Sequence, residues 1–134
     1  MLSVLVVEDD YLLADELDRM LTERGFRVIG PAQNLEAAQR LLADNRIDVA
    51  CLDVRLNGEE SSVPLAQSLA ALGIPFVFVT AYPVAYLSLA MRDRPLLEKP
   101  VDADLLAERL RALTGTGAGP PAGARDIHYD RYRT

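Results

Sequence analysis

The chain has 134 residues, half of them hydrophobic, which suits one small domain with a real core. Its net charge of −6, with 14 basic and 20 acidic residues and a pI of about 4.7, argues against nucleic acid, whose recognition needs a basic patch. No apolar stretch reaches the roughly 20 residues that span a membrane, and no charged leader with a cleavage site opens the chain, so neither a membrane nor a signal peptide is expected.

Residues 2–7 form a short apolar run rich in β-branched side chains, which predicts a first strand buried on both faces. Leu12, Leu13, Leu17, Met20 and Leu21 then recur on one helical stripe, which Gly25 stops. Residues 26–29 read as a second strand, closed by Gly30-Pro31. Asn34 suits the N-cap of a helix bearing Leu35, Ala38, Leu41 and Leu42. Residues 47–52 are the third strand. Cys51, the single cysteine, lies in it and reads as a buried core residue of a protein in a reducing cytoplasm.

Asn57-Gly58 is a turn signal. Pro64 stands near the start of a third helix, where its missing N–H costs little, with Leu65, Leu69 and Leu72 as the stripe and Gly73 as the stop. Residues 74–79 are the fourth strand, 84–91 a short helix and 96–98 the fifth strand. Asp102 caps a last helix that turns Leu105, Leu106, Leu110 and Leu113 inward.

After Leu113 the composition changes. Residues 114–123 hold four glycines and two prolines, and residues 125–134 are charged and tyrosine-rich. The expectation is a domain over 1–113 and a flexible tail over 114–134 that cannot build a core. His128, the only histidine, falls in that tail and reads as solvated rather than as a phosphodonor or metal ligand.

Strand–helix alternation of this kind implies a parallel sheet with helices on both faces. By analogy of fold, five strands and five helices suit an α/β, flavodoxin-like, doubly wound five-stranded sheet of order 2-1-3-4-5. In such a sheet the strand C-termini share one edge, and ligands bind there. Glu8-Asp9-Asp10 follows the first strand, Asp53 the third, Thr80 the fourth and Lys99-Pro100 the fifth. Each has an ordinary explanation. Acids at a helix start complement its dipole. An aspartate ends a strand before a turn. Threonine is a common strand residue, and lysine a surface charge. As a set at one edge they suit a divalent cation and a phosphoryl group, with Asp53 as nucleophile. Carboxylates so close repel, and a bound Mg²⁺ would remove that repulsion.

In those residues, their order and their spacing, residues 2–113 resemble the receiver domain of two-component response regulators, a CheY-like fold. The resemblance implies Asp53 as phosphoacceptor. It implies Mg²⁺ held by Asp9, Asp53 and the backbone carbonyl of Arg55, with Glu8 acting mostly through metal-bound water. Lys99 and Thr80 would meet the phosphoryl oxygens, Ala81 would leave the acceptor open, and Lys99-Pro100 would be a cis peptide. Three departures stand out. Leu96 occupies the position of the family's aromatic switch residue, Val101 that of a frequent phenylalanine, and Val54-Arg55 replaces Met-Pro after the acceptor. Tyr82 either takes over part of the switching or is a plain surface tyrosine. The stretches 53–58 and 78–82 resemble small stand-alone receivers of alphaproteobacteria, which lack that aromatic.

The resemblance therefore implies a single-domain response regulator rather than an enzyme. It would take phosphate from a sensor histidine kinase and hydrolyse it slowly. Its output would be a protein contact, or phosphate exchange with another kinase or phosphotransfer protein, through the face spanning residues 80–99. Arg55, two residues past the acceptor, is expected to tune the phosphoryl lifetime. Rival readings are a degenerate receiver that only binds partners, and a haloacid-dehalogenase-type phosphatase. The latter needs a second acid where Arg55 stands. A nucleotide or flavin module fits less well, because the acidic, glycine-free first turn would repel a phosphate.

Overall fold

The computed structural model describes residues 1–56, 60–81 and 94–115. The short helix expected over 84–91, Tyr82, the Asn57-Gly58 turn, His128 and the tail from 116 on lie outside the described residues.

The main sheet contains β1 (Ser3–Val7), β2 (Arg27–Ala32), β3 (Val49–Asp53), β6 (Phe76–Thr80) and β7 (Leu96–Glu98). A two-stranded antiparallel ribbon, β4 (Arg55–Leu56) with β5 (Glu60–Ser61), follows β3. The helices are α1 (Tyr11–Glu23), α2 (Leu35–Asp44), α3 (Val63–Ala71) and α4 (Ala103–Thr114). The sheet order is β2-β1-β3-β6-β7, all parallel, which is the doubly wound order expected once the ribbon is set aside.

The direction of winding reverses at β1, and right-handed crossovers then place helices on opposite faces. Side-chain parity along the strands makes two cores. Leu5, Val7, Ala50, Leu52, Phe76, Phe78 and Leu96 pack with Ala38 of α2 and Leu65 and Leu69 of α3. Val4, Val6, Val49, Cys51, Val77, Val79 and Leu97 pack with Leu17 and Leu21 of α1 and Leu106 and Leu110 of α4. The unbroken apolar runs 4–7, 49–52 and 76–79 in the three central strands are what a sheet covered on both faces requires.

The local signals hold at most helix ends. Asn34 accepts from the Ala37 N–H at 2.8 Å, and Asp102 accepts from the Leu105 N–H at 3.0 Å. Gly25 and Gly73 follow α1 and α3 with positive φ.

Three expectations are corrected. Leu12 is 84% exposed, because the buried stripe of α1 runs through Ala14, Leu17 and Leu21. Leu72 is 63% exposed, because it is already the C-cap of α3. The second strand continues through Gly30-Pro31 to Ala32. It can do so because β2 is an edge strand, where proline forfeits no ladder bond. Gly30 is required there. Its φ is +99°, and a Cβ would lie 2.7 Å from the Ala32 nitrogen and 3.0 Å from the Val6 carbonyl oxygen.

Candidate functional site

The C-terminal ends of β1, β3, β6 and β7 bring the polar residues to one edge. Register places Val7 beside Leu52, Asp53 beside Val79 and Thr80 beside Glu98. The three acids after β1 divide their work. Asp10 is the N-cap of α1 and accepts from the Leu12 and Leu13 N–H groups at 3.0 and 3.2 Å. Its exposed carboxylate is thus committed to the helix. Glu8 instead turns inward and is 1% exposed, with Oε2 accepting from the Asp10 N–H at 3.0 Å.

Glu8, Asp9 and Asp53 each offer a carboxylate oxygen, and these atoms lie within 4.8 Å of one another. Lys99 joins the group: its Nζ is 2.8 Å from Glu8 Oε1 and 3.1 Å from Asp53 Oδ2. Among the described residues no buried side-chain nitrogen or oxygen lacks a hydrogen-bond partner. One ammonium against three carboxylates leaves an excess of negative charge, and oxygen donors alone suit a hard cation such as Mg²⁺. The donor set therefore fits the ion that the resemblance implies.

Electrostatics follow burial. Loss of solvent pushes the Glu8 carboxyl up to about 7, and the Asp53 charge adds to the rise. The Lys99 hydrogen bond and the Asp10 N–H only partly oppose it. Burial alone would lower the Lys99 ammonium; the hydrogen bond to Glu8 and the charge of Asp53 outweigh it, and the net direction is upward. Cys51, two residues before Asp53, is pushed up to about 12, first by burial and then by the charges of Glu8 and Asp53. It is a buried neutral thiol with no nucleophilic character at neutral pH.

The remaining predicted residues fall as follows. Thr80 is buried at the end of β6, and its carbonyl accepts from the Lys99 N–H at 2.8 Å. Ala81 is exposed beside it, and Arg55 is exposed on β4. Lys99-Pro100 is a cis peptide. Leu96 is 1% exposed, paired in register with Phe78 within the core. Leucine carries no ring, so this position lacks the aromatic side chain that the family rotates.

Sequence reasoning missed the ribbon after Asp53. Ser62 is fully buried, and both its N–H and its hydroxyl donate to the Val54 carbonyl, each at 3.1 Å. Glu60 Oε1 accepts from the Leu35 N–H at 2.8 Å, at the start of α2. Nothing in the local sequence ties Glu60 to α2, 25 residues away in the chain.

Comparison with known proteins places this geometry. A model of the response regulator receiver domain matches residues 4–111. The sensory transduction protein LytT of Bacillus subtilis is 34% identical over 115 residues, which cover 83% of this chain and 47% of LytT. The chain thus spans about half the length of the curated relatives it matches. Among solved structures, SdrG from Sphingomonas melonis Fr1 is similar with a TM-score of 0.74 and 39% identity, covering 84% of this chain and 96% of that one. SdrG in its BeF3-activated conformation, attributed to Pseudomonas melonis Fr1, gives 0.72 at 39% identity and covers 84% and 95%.

Proposed function

The chain belongs to the response regulator receiver family, and from that premise we propose that it is a phosphoacceptor that signals through protein contact. An Asp53 carboxylate oxygen attacks the phosphorus of a phosphohistidine on a sensor histidine kinase. The P–N bond breaks, the imidazole leaves with its electron pair, and an acyl phosphate forms on Asp53.

Asp9, Asp53 and the Arg55 carbonyl would hold Mg²⁺, with Glu8 acting through metal-bound water. The ion supplies charge neutralisation for the transferring phosphoryl group. Lys99 gives a point charge to one phosphoryl oxygen. Thr80 donates its hydroxyl to another. Slow hydrolysis of the acyl phosphate then resets the protein, at a rate that Arg55 tunes from beside the acceptor.

The observation that carries this reading is the Lys99 ammonium within 3.1 Å of both Glu8 and Asp53, beside a three-carboxylate cluster. It also speaks against a degenerate receiver, since acceptor, acids and ammonium are all present. The phosphatase reading lacks its second acid, because Arg55 stands two residues past Asp53.

The output acts by population shift of the surface around residues 80–99. It proceeds without rotation of an aromatic ring at position 96, because Leu96 carries none. Recipients would be an effector, another kinase or a phosphotransfer protein. Tyr11 and Leu12, exposed on the first turn of α1, offer an apolar edge for such contacts. Residues 1–113 would be the working receiver and 114–134 an appended tail, in a cytoplasmic setting. Among the described residues no helix is long and apolar enough to cross a membrane.

The test is incubation with Mg²⁺ and a small phosphodonor, read by intact mass. Wild type should gain one phosphoryl group and Asp53→Asn none. If wild type gains nothing, or the variant gains as much, the reading is wrong.

A further inference from the structure

The described residues between Asp53 and α3 are tied down on both sides of the ribbon. Val54 is buried, and its carbonyl takes two hydrogen bonds from Ser62, one from the N–H and one from the hydroxyl. Arg55 pairs with Ser61 and Leu56 with Glu60 in the β4–β5 ribbon, and Leu56 is buried in the core between α3 and the sheet. Ser61 Oγ accepts from the Val63 N–H at 3.1 Å.

The ribbon is also tied outward. Glu60 Oε1 accepts from the Leu35 N–H at 2.8 Å, using a donor that the first turn of α2 leaves without an intrahelical partner. The same β2–α2 connection reaches the other carboxylate segment, because the Ala32 carbonyl accepts from the Glu8 N–H at 2.9 Å. Both acidic segments, the one after β1 and the one after β3, are therefore braced against the stretch from Ala32 to Leu35.

We infer that Ser62 and Glu60 are positioning residues for the metal face: they fix the peptide that follows the phosphoacceptor and so hold the Arg55 carbonyl in register with the carboxylates. This rests on the proposed Mg²⁺ reading. Two hydrogen bonds on one carbonyl leave the 54–55 peptide plane little freedom to rotate. The Arg55 carbonyl is the next one along the chain, on a ribbon whose far strand is anchored to α2. A cation ligand supplied by backbone needs this kind of support, because its donor atom cannot adjust by changing rotamer. Serine does this where alanine would not, since the hydroxyl is the second of the two bonds on Val54.

The experiment is a Mg²⁺ titration of the ¹⁵N-labelled protein, followed by amide shifts, for wild type, Ser62→Ala, Glu60→Ala and Glu60→Gln. Thermal midpoints without metal run alongside. Loss of one supporting hydrogen bond should weaken Mg²⁺ binding about three- to tenfold in Ser62→Ala and in Glu60→Ala. Glu60→Gln keeps an acceptor for the Leu35 N–H and should keep the wild-type affinity, which separates the tie from the charge. A purely structural role would lower the midpoints and leave Mg²⁺ affinity unchanged, and that result overturns the inference. Equal weakening in Glu60→Ala and Glu60→Gln overturns the part assigned to Glu60. If Ser62→Ala does not fold, the exposed Glu60 pair decides. A wild type that shows no saturable Mg²⁺ shifts overturns the proposed function itself, whereas wild-type binding matched by every variant overturns only this inference.

Discussion

Replacing Glu8 by glutamine should make the metal-free protein more stable at pH 8 and leave it little changed at pH 5. Glu8 is buried, and its carboxyl sits at about 7 against an ordinary value of 4.5. The folded state therefore holds its proton over a range in which the unfolded chain has released it. A raised folded value means that this stability is complete below pH 4.5 and is lost as pH climbs through 7. At about 1.4 kcal/mol for each pH unit between 4.5 and about 7, the loss approaches about 3.5 kcal/mol on the alkaline side. Glutamine resembles the protonated acid and has nothing to lose over that range. In a chelator-containing buffer the variant should gain up to about 3.5 kcal/mol over wild type at pH 8, roughly 10 °C in thermal midpoint for a domain of this size. Added Mg²⁺ should narrow the difference, because the ion stabilises the ionised cluster of wild type. The assay is thermal unfolding by circular dichroism at pH 5, 6, 7 and 8, with and without Mg²⁺. Metal-free wild-type and variant midpoints that run parallel across that range would refute the assignment of the pH dependence to buried Glu8.

Lys99→Ala removes the ammonium that touches both Glu8 and Asp53. Phosphorylation by a small donor should slow about 10- to 100-fold, the value of a hydrogen bond to a charged group, in an intact-mass time course. An unchanged rate would deny Lys99 its role. Arg55→Ala should change the phosphoryl half-life while adduct formation on Asp53 persists; the same half-life in both proteins would remove Arg55 from the account. Cys51 is buried with its thiol pushed up to about 12, so iodoacetamide at pH 8 should leave the native protein unmodified and label it fully in denaturant. Rapid native labelling would contradict the burial.

The elements were legible because their signals are local. The apolar runs, the Asn34 and Asp102 caps and the glycines after α1 and α3 depend on neighbours within a few residues, and the structure bears them out. Alternation of strands and helices implied a parallel sheet with one shared edge, whereas the strand order came from analogy of fold. The errors came where distant chain decides. Whether Leu12 is buried depends on how α1 rotates against the sheet. Whether a strand survives Gly30-Pro31 depends on its being at an edge.

Which chemical groups stand at the strand ends can be read from the residues in order: the acids at 8 to 10, Asp53, Thr80 and Lys99. That was possible because a parallel sheet brings every strand's C-terminus to one side. Their separate duties emerge from the packing. Asp10 is spent on capping α1, while Glu8 is drawn inward beside Lys99 and pays for it in protonation. Tertiary structure alone also revealed Ser62 on the Val54 carbonyl and Glu60 on α2. In each case burial and hydrogen-bond partners are set by residues far away in the chain, which no local pattern encodes.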